Sequence, residues 1–232
     1  MRAIYLDTSF NEQDRIELIG SEAHHLINVL RVKEKRSLLA LNGRGVTAEI
    51  LIEELGRRSV VLSIKSVIEH KKKHHIDLFI GKLKKDAMDL VLKQACEVGI
   101  RNIYLVNTEY SQRYDIKEER TKKLLIAGIE QSNNPFLPKI IECDFEAIQE
   151  LKHDVKMYFS LKQNLRQESC FEKDILLIIG PEGGLSKEEE ASLQNVPSIE
   201  TVNFPSYILR APTAFACASG YALSKITNID AL

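Results

Sequence analysis

The residues richest in chemical possibility run from Gly180 through Pro181, Glu182, Gly183, Gly184, Leu185, Ser186, Lys187 and Glu188 to Glu189, directly after the apolar run Ile175–Ile179. Ser186 with Glu189 three positions on is a capping box, so a helix is expected to start right after the glycines. A glycine-rich turn between a buried strand and a helix lets a flat ligand lie against bare backbone. The pattern is neither G-x-x-x-x-G-K-[ST] nor G-x-G-x-x-G. Glu182 inside the turn is a poor neighbour for phosphates, whereas Lys187 falls beyond it. A cationic or uncharged nucleoside suits the turn better, and S-adenosylmethionine carries a sulfonium and no phosphate. Spacing alone leaves two readings open, a ligand cradle and a plain strand-to-helix turn.

Other reactive residue types give weaker signals. Cys96, Cys143, Cys170 and Cys217 lie far apart without a C-x-x-C pair, so no metal site is expected. The adjacent pairs His24-His25 and His74-His75 do not share a helix face, which argues against metal there too. The N-terminal MRAIYLDTSF has no apolar signal core, and unpaired thiols suit a reducing compartment, so a cytoplasmic location is expected. The apolar run Ile175–Ile179 is far short of the ~20 residues that cross a bilayer, so no membrane partner is expected.

The elements that must position the glycine turn alternate between strand and helix. Strands are predicted at 76–82, 103–106, 155–161, 175–180 and 199–204, and helices at 86–98, 121–132, 145–152, 187–194 and 213–226. Met88, Val91, Leu92 and Ala95 mark the buried face of the helix over 86–98, Gly99 stops it, and Asp144 is placed to cap the helix over 145–152. Such alternation predicts a largely parallel sheet covered on both faces, with ligands beyond the carboxyl ends of its strands.

Residues before about 75 read differently. SLLAL (37–41), VTAEILI (46–52) and SVVLSI (59–64) are strand-like runs separated by Asn42-Gly43-Arg44-Gly45 and Leu55-Gly56-Arg57-Arg58, both hairpin signals. Ser21 is placed to cap a helix over 22–30 with Leu26, Val29 and Leu30 as its apolar face. A compact barrel of about 70 residues fits this pattern.

The 232-residue chain is 44% hydrophobic and 28% charged, ordinary for a folded globular protein, with 32 Lys+Arg against 33 Asp+Glu. That net of −1 hides an uneven division, +3 over residues 1–75 and −4 over 76–232. Arg31, Lys33, Lys35, Arg36, Arg44, Arg57 and Arg58 surround the barrel, either as a phosphate-contacting patch for RNA or as an ordinary solvated face. The run His70-Lys71-Lys72-Lys73-His74-His75 lacks apolar periodicity, which gives a division into 1–70, a linker at 71–75, and 76–232.

IGPEGGLSKEEE (179–190) and YILRAPTA (207–214) resemble the bacterial 16S rRNA uridine-N3 methyltransferases of the SPOUT superfamily. HHLINVLR (24–31), LKQACEVGI (92–100) and IEQSNNPFLP (129–138) extend the resemblance in the family's order over most of the chain. It implies an α/β protein: an N-terminal PUA-like β-barrel, then a SPOUT α/β domain with a C-terminal trefoil knot, acting as a homodimer. It also implies transfer of a methyl group from S-adenosylmethionine to one uridine of 16S rRNA within the small ribosomal subunit. The cofactor should meet Leu161, the loop of Gly180, Pro181, Glu182, Gly183, Gly184 and Leu185, and then Phe204, Ile208, Leu209 and Arg210.

Methylating uracil N3 requires loss of its proton and stabilisation of the resulting anion. Arg210 is the candidate for that stabilisation, since a guanidinium holds a uracil oxygen but is a poor base. Glu182 is the second catalytic candidate, as proton acceptor or as a hydrogen-bond partner of the cofactor. Four places depart from the family. Tyr110 and Asn134 stand where arginines are usual, Phe204-Pro205-Ser206-Tyr207 replaces a stretch with Gly and Arg, and Pro212 replaces a Glu. Arg113 is positioned to replace one lost RNA-contacting cation. A SPOUT enzyme methylating a ribose 2′-OH, and a non-catalytic ribosome assembly factor, are the alternatives.

Overall fold

The computed structural model describes residues 3–160 and 174–226. The chain divides into two compact units, the first of Met1–Lys72 with Ile126–Leu137 and the second of Lys73–Leu125 with Pro138–Leu232. The division between Lys72 and Lys73 falls within the basic run. Nothing local in the sequence marks 126–137 as part of the first unit.

The first unit is a curled five-stranded sheet of β1 (Ala3–Tyr5), β2 (Arg15–Ile19), β3 (Ser37–Leu41), β4 (Val46–Leu55) and β5 (Ser59–Glu69), in the order β1-β3-β4-β5-β2. β3, β4 and β5 form the two expected hairpins, and β4 and β5 extend beyond their predicted ends. Asn42 Oδ1 tightens the first turn by accepting from the N–H groups of Arg44 (2.8 Å) and Val46 (3.1 Å). Alternate residues of the strands, among them Leu38, Ala40, Ile50, Ile52, Val60 and Leu62, meet in one apolar core. The helix predicted over 22–30 is instead α1 (Gly20–His24) continued by a π-helical turn over His25–Val29. Ser21 caps nothing, because the N-cap position is Ile19. The Leu30 N–H reaches back five residues to His25 O (2.9 Å), and this wider turn leaves Val29 58% exposed while Leu26 stays buried.

The second unit holds six parallel strands in the order β11-β9-β10-β6-β7-β8. They are β6 (Ile76–Gly81), β7 (Asn102–Asn107), β8 (Lys139–Asp144), β9 (Val155–Phe159), β10 (Ile175–Ile179) and β11 (Ile199–Val202). β6 and β10 are buried along their whole length, as strands covered on both faces must be. Its helices are α2 (Lys85–Val98), α4 (Lys187–Leu193) and α5 (Ala211–Lys225), while α3 (Glu118–Ser132) belongs to it up to Leu125 and to the first unit from Ile126. α2 buries the predicted face, Gly99 ends it in the left-handed conformation, and α5 packs against α2 and β10. The helix predicted over 145–152 is only a five-residue 3-10 turn, Phe145–Gln149. Asp144 makes no cap bond there, since its Oδ1 accepts from Asn107 Nδ2 at 3.1 Å.

A polar network ties the amino ends of these strands together. Asp77, 1% exposed, accepts from Arg101 Nε (3.0 Å) and Nη2 (2.9 Å), from the Asn102 N–H (3.0 Å) and from His153 Nε2 (2.9 Å). Burial alone pushes the Asp77 carboxyl upward, but the bonds from His153, Arg101 and Asn102 outweigh it and hold the group well below the usual carboxylate range. Arg101 also reaches Asp174, whose other partner is His75 Nδ1 at 2.9 Å.

Candidate active site

In a parallel sheet every strand delivers its following loop to the same edge, so the loops after β6, β7, β9, β10 and β11 gather at one rim. Three carboxylates of the segment after β10 fasten that rim. Glu182 Oε1 accepts from the Lys84 N–H (2.9 Å), at the start of α2. Glu189 closes the predicted capping box with Ser186 and accepts from the Glu109 N–H (2.9 Å), in the loop after β7. Glu190 Oε1 accepts from the Tyr158 hydroxyl (2.9 Å) near the end of β9. Burial and then the Glu190 carboxylate raise the Tyr158 phenol far above its ordinary range, so it remains a donor.

Within the loop, the Gly184 N–H donates to Pro181 O (2.9 Å), and Gly184 sits at φ +76° with open space where a Cβ would stand. The N–H groups of Gly183 and Leu185 meet no acceptor among the described residues. Pro181 is buried against Gly81, whose hydrogen is all that fits: a Cβ there would lie 2.6 Å from Pro181 Cδ. A Cβ on Gly183 would lie 2.8 Å from that of Tyr110, so Tyr110 stands directly against the loop. Leu185 packs its side chain into the apolar cluster around Phe79 and Leu176.

β9 lies between β10 and β11, so the segment after β11 borders the same rim. Asn203 Nδ2 donates to Ser160 O (2.9 Å), and Phe204 stacks on Phe159 with ring centroids 5.5 Å apart and Tyr221 edge-on to both. A tight turn centred on Pro205 follows, closed by Ser206 N–H to Phe204 O at 2.7 Å. Beyond it Tyr207 is 95% and Ile208 84% exposed, while Leu209 is half-buried. Arg210 is the N-cap residue of α5, with an exposed guanidinium that has no partner among the described residues. Pro212 occupies the first turn of α5, where its missing N–H is harmless. Leu161 lies outside the described residues.

Sequence reasoning missed one member of this rim. Lys82, at the end of β6, is buried and donates to Glu142 Oε2 (2.6 Å) and to Tyr114 O (3.4 Å). Burial raises the neighbouring Tyr114 phenol, whose oxygen is itself buried without a partner among the described residues. The signal available was a lysine directly following a strand buried along its whole length.

The expected RNA-contacting cations divide by place. Arg31 and Lys33 lie exposed in the loop before β3, and Arg57 and Arg58 lie exposed at the β4–β5 turn. Glu34 Oε1 accepts from the Leu55 N–H (3.0 Å), which fastens the two segments side by side. Arg44 lies at the other end of the β3–β4 hairpin, where it pairs with Asp7 (2.7 Å) and donates to Thr8 O (2.9 Å). Arg113, in the second unit, donates to Thr108 O (3.2 Å) and keeps an exposed side chain.

Backbone donors on an open glycine turn, bordered by carboxylates and an aromatic trio, fit an uncharged or cationic nucleoside and disfavour a polyphosphate. The described residues contain no His/Cys/Asp/Glu group able to hold a metal ion, and none of their helices is long and apolar enough to cross a membrane.

This architecture is that of an RNA-modifying methyltransferase. The RNA methyltransferase domain family matches residues 70–223 and the RNA methyltransferase PUA domain matches residues 18–65, so the chain belongs to the RNA methyltransferase family. Its first unit is PUA-like and its second of SPOUT type. Among curated relatives, the Ribosomal RNA small subunit methyltransferase E of Rickettsia conorii is 27% identical over 221 residues, covering 91% of this chain and 90% of its own. The protein of the same name from Bacillus subtilis is 22% identical over 240 residues, covering 93% and 91%. Among solved structures, the Ribosomal RNA small subunit methyltransferase E of Neisseria gonorrhoeae bound to S-adenosyl methionine has the same fold, with a TM-score of 0.88, 22% identity and 97% of each chain covered.

Proposed function

We propose that this protein transfers a methyl group from S-adenosylmethionine to N3 of one uridine in the decoding-region RNA of the small ribosomal subunit. The observation that carries the reading is the glycine turn after β10, with N–H groups at Gly183 and Leu185 that meet no acceptor among the described residues and carboxylates in place of phosphate-binding cations. The names of the curated relatives support the substrate class. S-adenosylmethionine supplies an electrophilic methyl group on a sulfonium. The chain's residues hold and orient the reactants. Gly183 and Leu185 offer donors to the nucleobase, and the Phe159–Phe204–Tyr221 cluster keeps water from one side of the rim. Glu182, with Oε1 committed to the start of α2, fixes the loop's position and is assigned that role ahead of proton acceptance. The free guanidinium of Arg210 holds a uracil oxygen and stabilises the negative charge left when N3 gives up its proton.

The four cations of the first unit, Arg31, Lys33, Arg57 and Arg58, contact RNA phosphates and so position the substrate without reading its sequence. The family's homodimer, its C-terminal trefoil knot and a cytoplasmic location belong to the same reading. An exposed stripe of small and apolar residues on α5, Ala216, Cys217, Gly220 and Leu223, supports close approach of a second copy.

Two measurements test the proposal. Calorimetry with S-adenosylmethionine is expected to show binding, and its absence from an intact protein would favour an assembly factor. Mass spectrometry of 16S rRNA from cells lacking this protein is expected to show loss of one 3-methyluridine. Persistence of that base together with loss of a 2′-O-methyl group would move the acceptor to ribose.

A further inference from the structure

At the opposite edge of the six-stranded sheet, where β9, β10 and β11 begin, lies a cavity of about 330 Å³. Gln149, Lys152, His153, Lys156, Asp174 and Ser198 line it. Asp77, Lys82 and Lys156 are the buried charged side chains among the described residues. Asp77 and Lys82 are fully partnered, by Arg101 and His153 and by Glu142. Lys156 is 2% exposed, yet no acceptor meets its Nζ among the described residues. Its backbone N–H is occupied by Ser198 O at 2.8 Å, which anchors the strand and leaves the side chain alone. Burial without a counter-charge pulls the ammonium below its ordinary range. The stem is buried while the ammonium stays open to the cavity, where an anion can reach it.

His153 repeats the pattern in the same wall. Its Nε2 is held by Asp77 at 2.9 Å, while its Nδ1 is buried with no partner among the described residues. The cavity's carboxylates are already engaged. Asp174 pairs with Arg101 and His75, and Asp154 Oδ2 accepts from the Asp174 N–H at 3.3 Å. Lys152 adds a second ammonium at the exposed rim. We propose that this cavity is a second ligand site, distinct from the rim at the carboxyl edge, that takes a small phosphate-type oxyanion between Lys156 and Lys152. Such an anion accepts from both ammonium groups, and a protonated phosphate oxygen donates to His153 Nδ1 in its neutral form.

The test compares the full-length protein with its Lys156→Met variant by thermal unfolding, in phosphate and in chloride at equal ionic strength and pH. Phosphate is expected to raise the melting temperature of the wild type. Lys156→Met is expected to fold with similar stability in chloride, because its apolar stem fills the same space, and to ignore phosphate. Calorimetry with inorganic phosphate on the exposed-rim variant Lys152→Ala, whose folding is not at risk, should show binding weakened about tenfold by loss of one charged donor. Adenosine monophosphate in place of phosphate distinguishes a metabolite's terminal phosphate from the free ion. An equal phosphate response in wild type and Lys156→Met, or none in the wild type, overturns the proposal and leaves Lys156 a snorkelling lysine with a packed stem. A Lys156-dependent response to an RNA oligonucleotide alone also overturns it.

Discussion

Replacing Gly81 by alanine tests whether the rim is set by backbone contact. The added Cβ would stand 2.6 Å from Pro181 Cδ and 2.9 Å from Pro181 N, where ordinary contact begins at 3.4 Å, so Pro181 must retreat by about 0.8 Å. Proline offers little to absorb this, because its ring fixes φ and the contact reaches its backbone nitrogen. Gly81 is the last residue of β6, paired with Val106 on β7, so the strand cannot retreat instead. Overpacking of this kind destabilises by about 1–3 kcal/mol. If the glycine turn holds the cofactor as proposed, displacing it by close to 1 Å should lower turnover by about 100-fold. Titration calorimetry with S-adenosylmethionine should show markedly weaker binding for Gly81→Ala, and a methyl-transfer assay on small ribosomal subunits should show the larger loss. A Gly81→Ala protein that binds the cofactor as the wild type does, with unchanged melting temperature, refutes the reasoning.

Arg210→Ala is expected to lower turnover by about 10²–10³-fold while cofactor binding in calorimetry survives. Retained activity would remove Arg210 from the reaction. Asp77→Asn should lower stability by about 3 kcal/mol in urea unfolding at neutral pH, by breaking the buried pair with Arg101. The Asp77 carboxyl is depressed in the folded state, so its stabilisation is complete above the ordinary carboxylate range and fades as pH falls through the folded value. Wild-type stability should therefore drop more steeply below about pH 4 than that of Asp77→Asn, and parallel acid limbs would contradict the assignment. Arg57→Ala should weaken RNA binding across sequences and reduce the salt slope by about 1, whereas Arg44→Ala, committed to Asp7, should leave both unchanged in filter-binding titrations.

Local signals located the glycine turn, its capping box, the buried face of α2 and both hairpins of the first unit, because each depends on residues within four positions of one another. What escaped was short or non-local. β1 has three residues, β2 carries charges at Arg15 and Glu17, and β8 is a largely exposed edge strand, so none shows a buried-strand pattern. The π-helical turn at His25–Val29 turned a predicted apolar position outward, which helical spacing cannot foresee. Arg44 read as a free cation because its partner Asp7 is 37 residues away, and Asp144 read as a cap because Asn107 is equally distant. The assignment of Arg210 to the proposed site came from the resemblance, since no spacing rule singles out a lone arginine ahead of a helix.

Glu182, Glu189 and Glu190 reach out to Lys84, Glu109 and Tyr158, so the glycine turn and the start of α4 are held on three sides by the loops and strand around them. By the proposed function, a ligand arriving there meets a loop whose position these three bonds already fix, so little of this loop's freedom is lost on binding. At this loop, association then resembles docking on a preset surface. On the proposed function, ligand preference at such a rim would be altered by exchanging the side chains around it, Tyr110 first among them, with the backbone beneath left as it is.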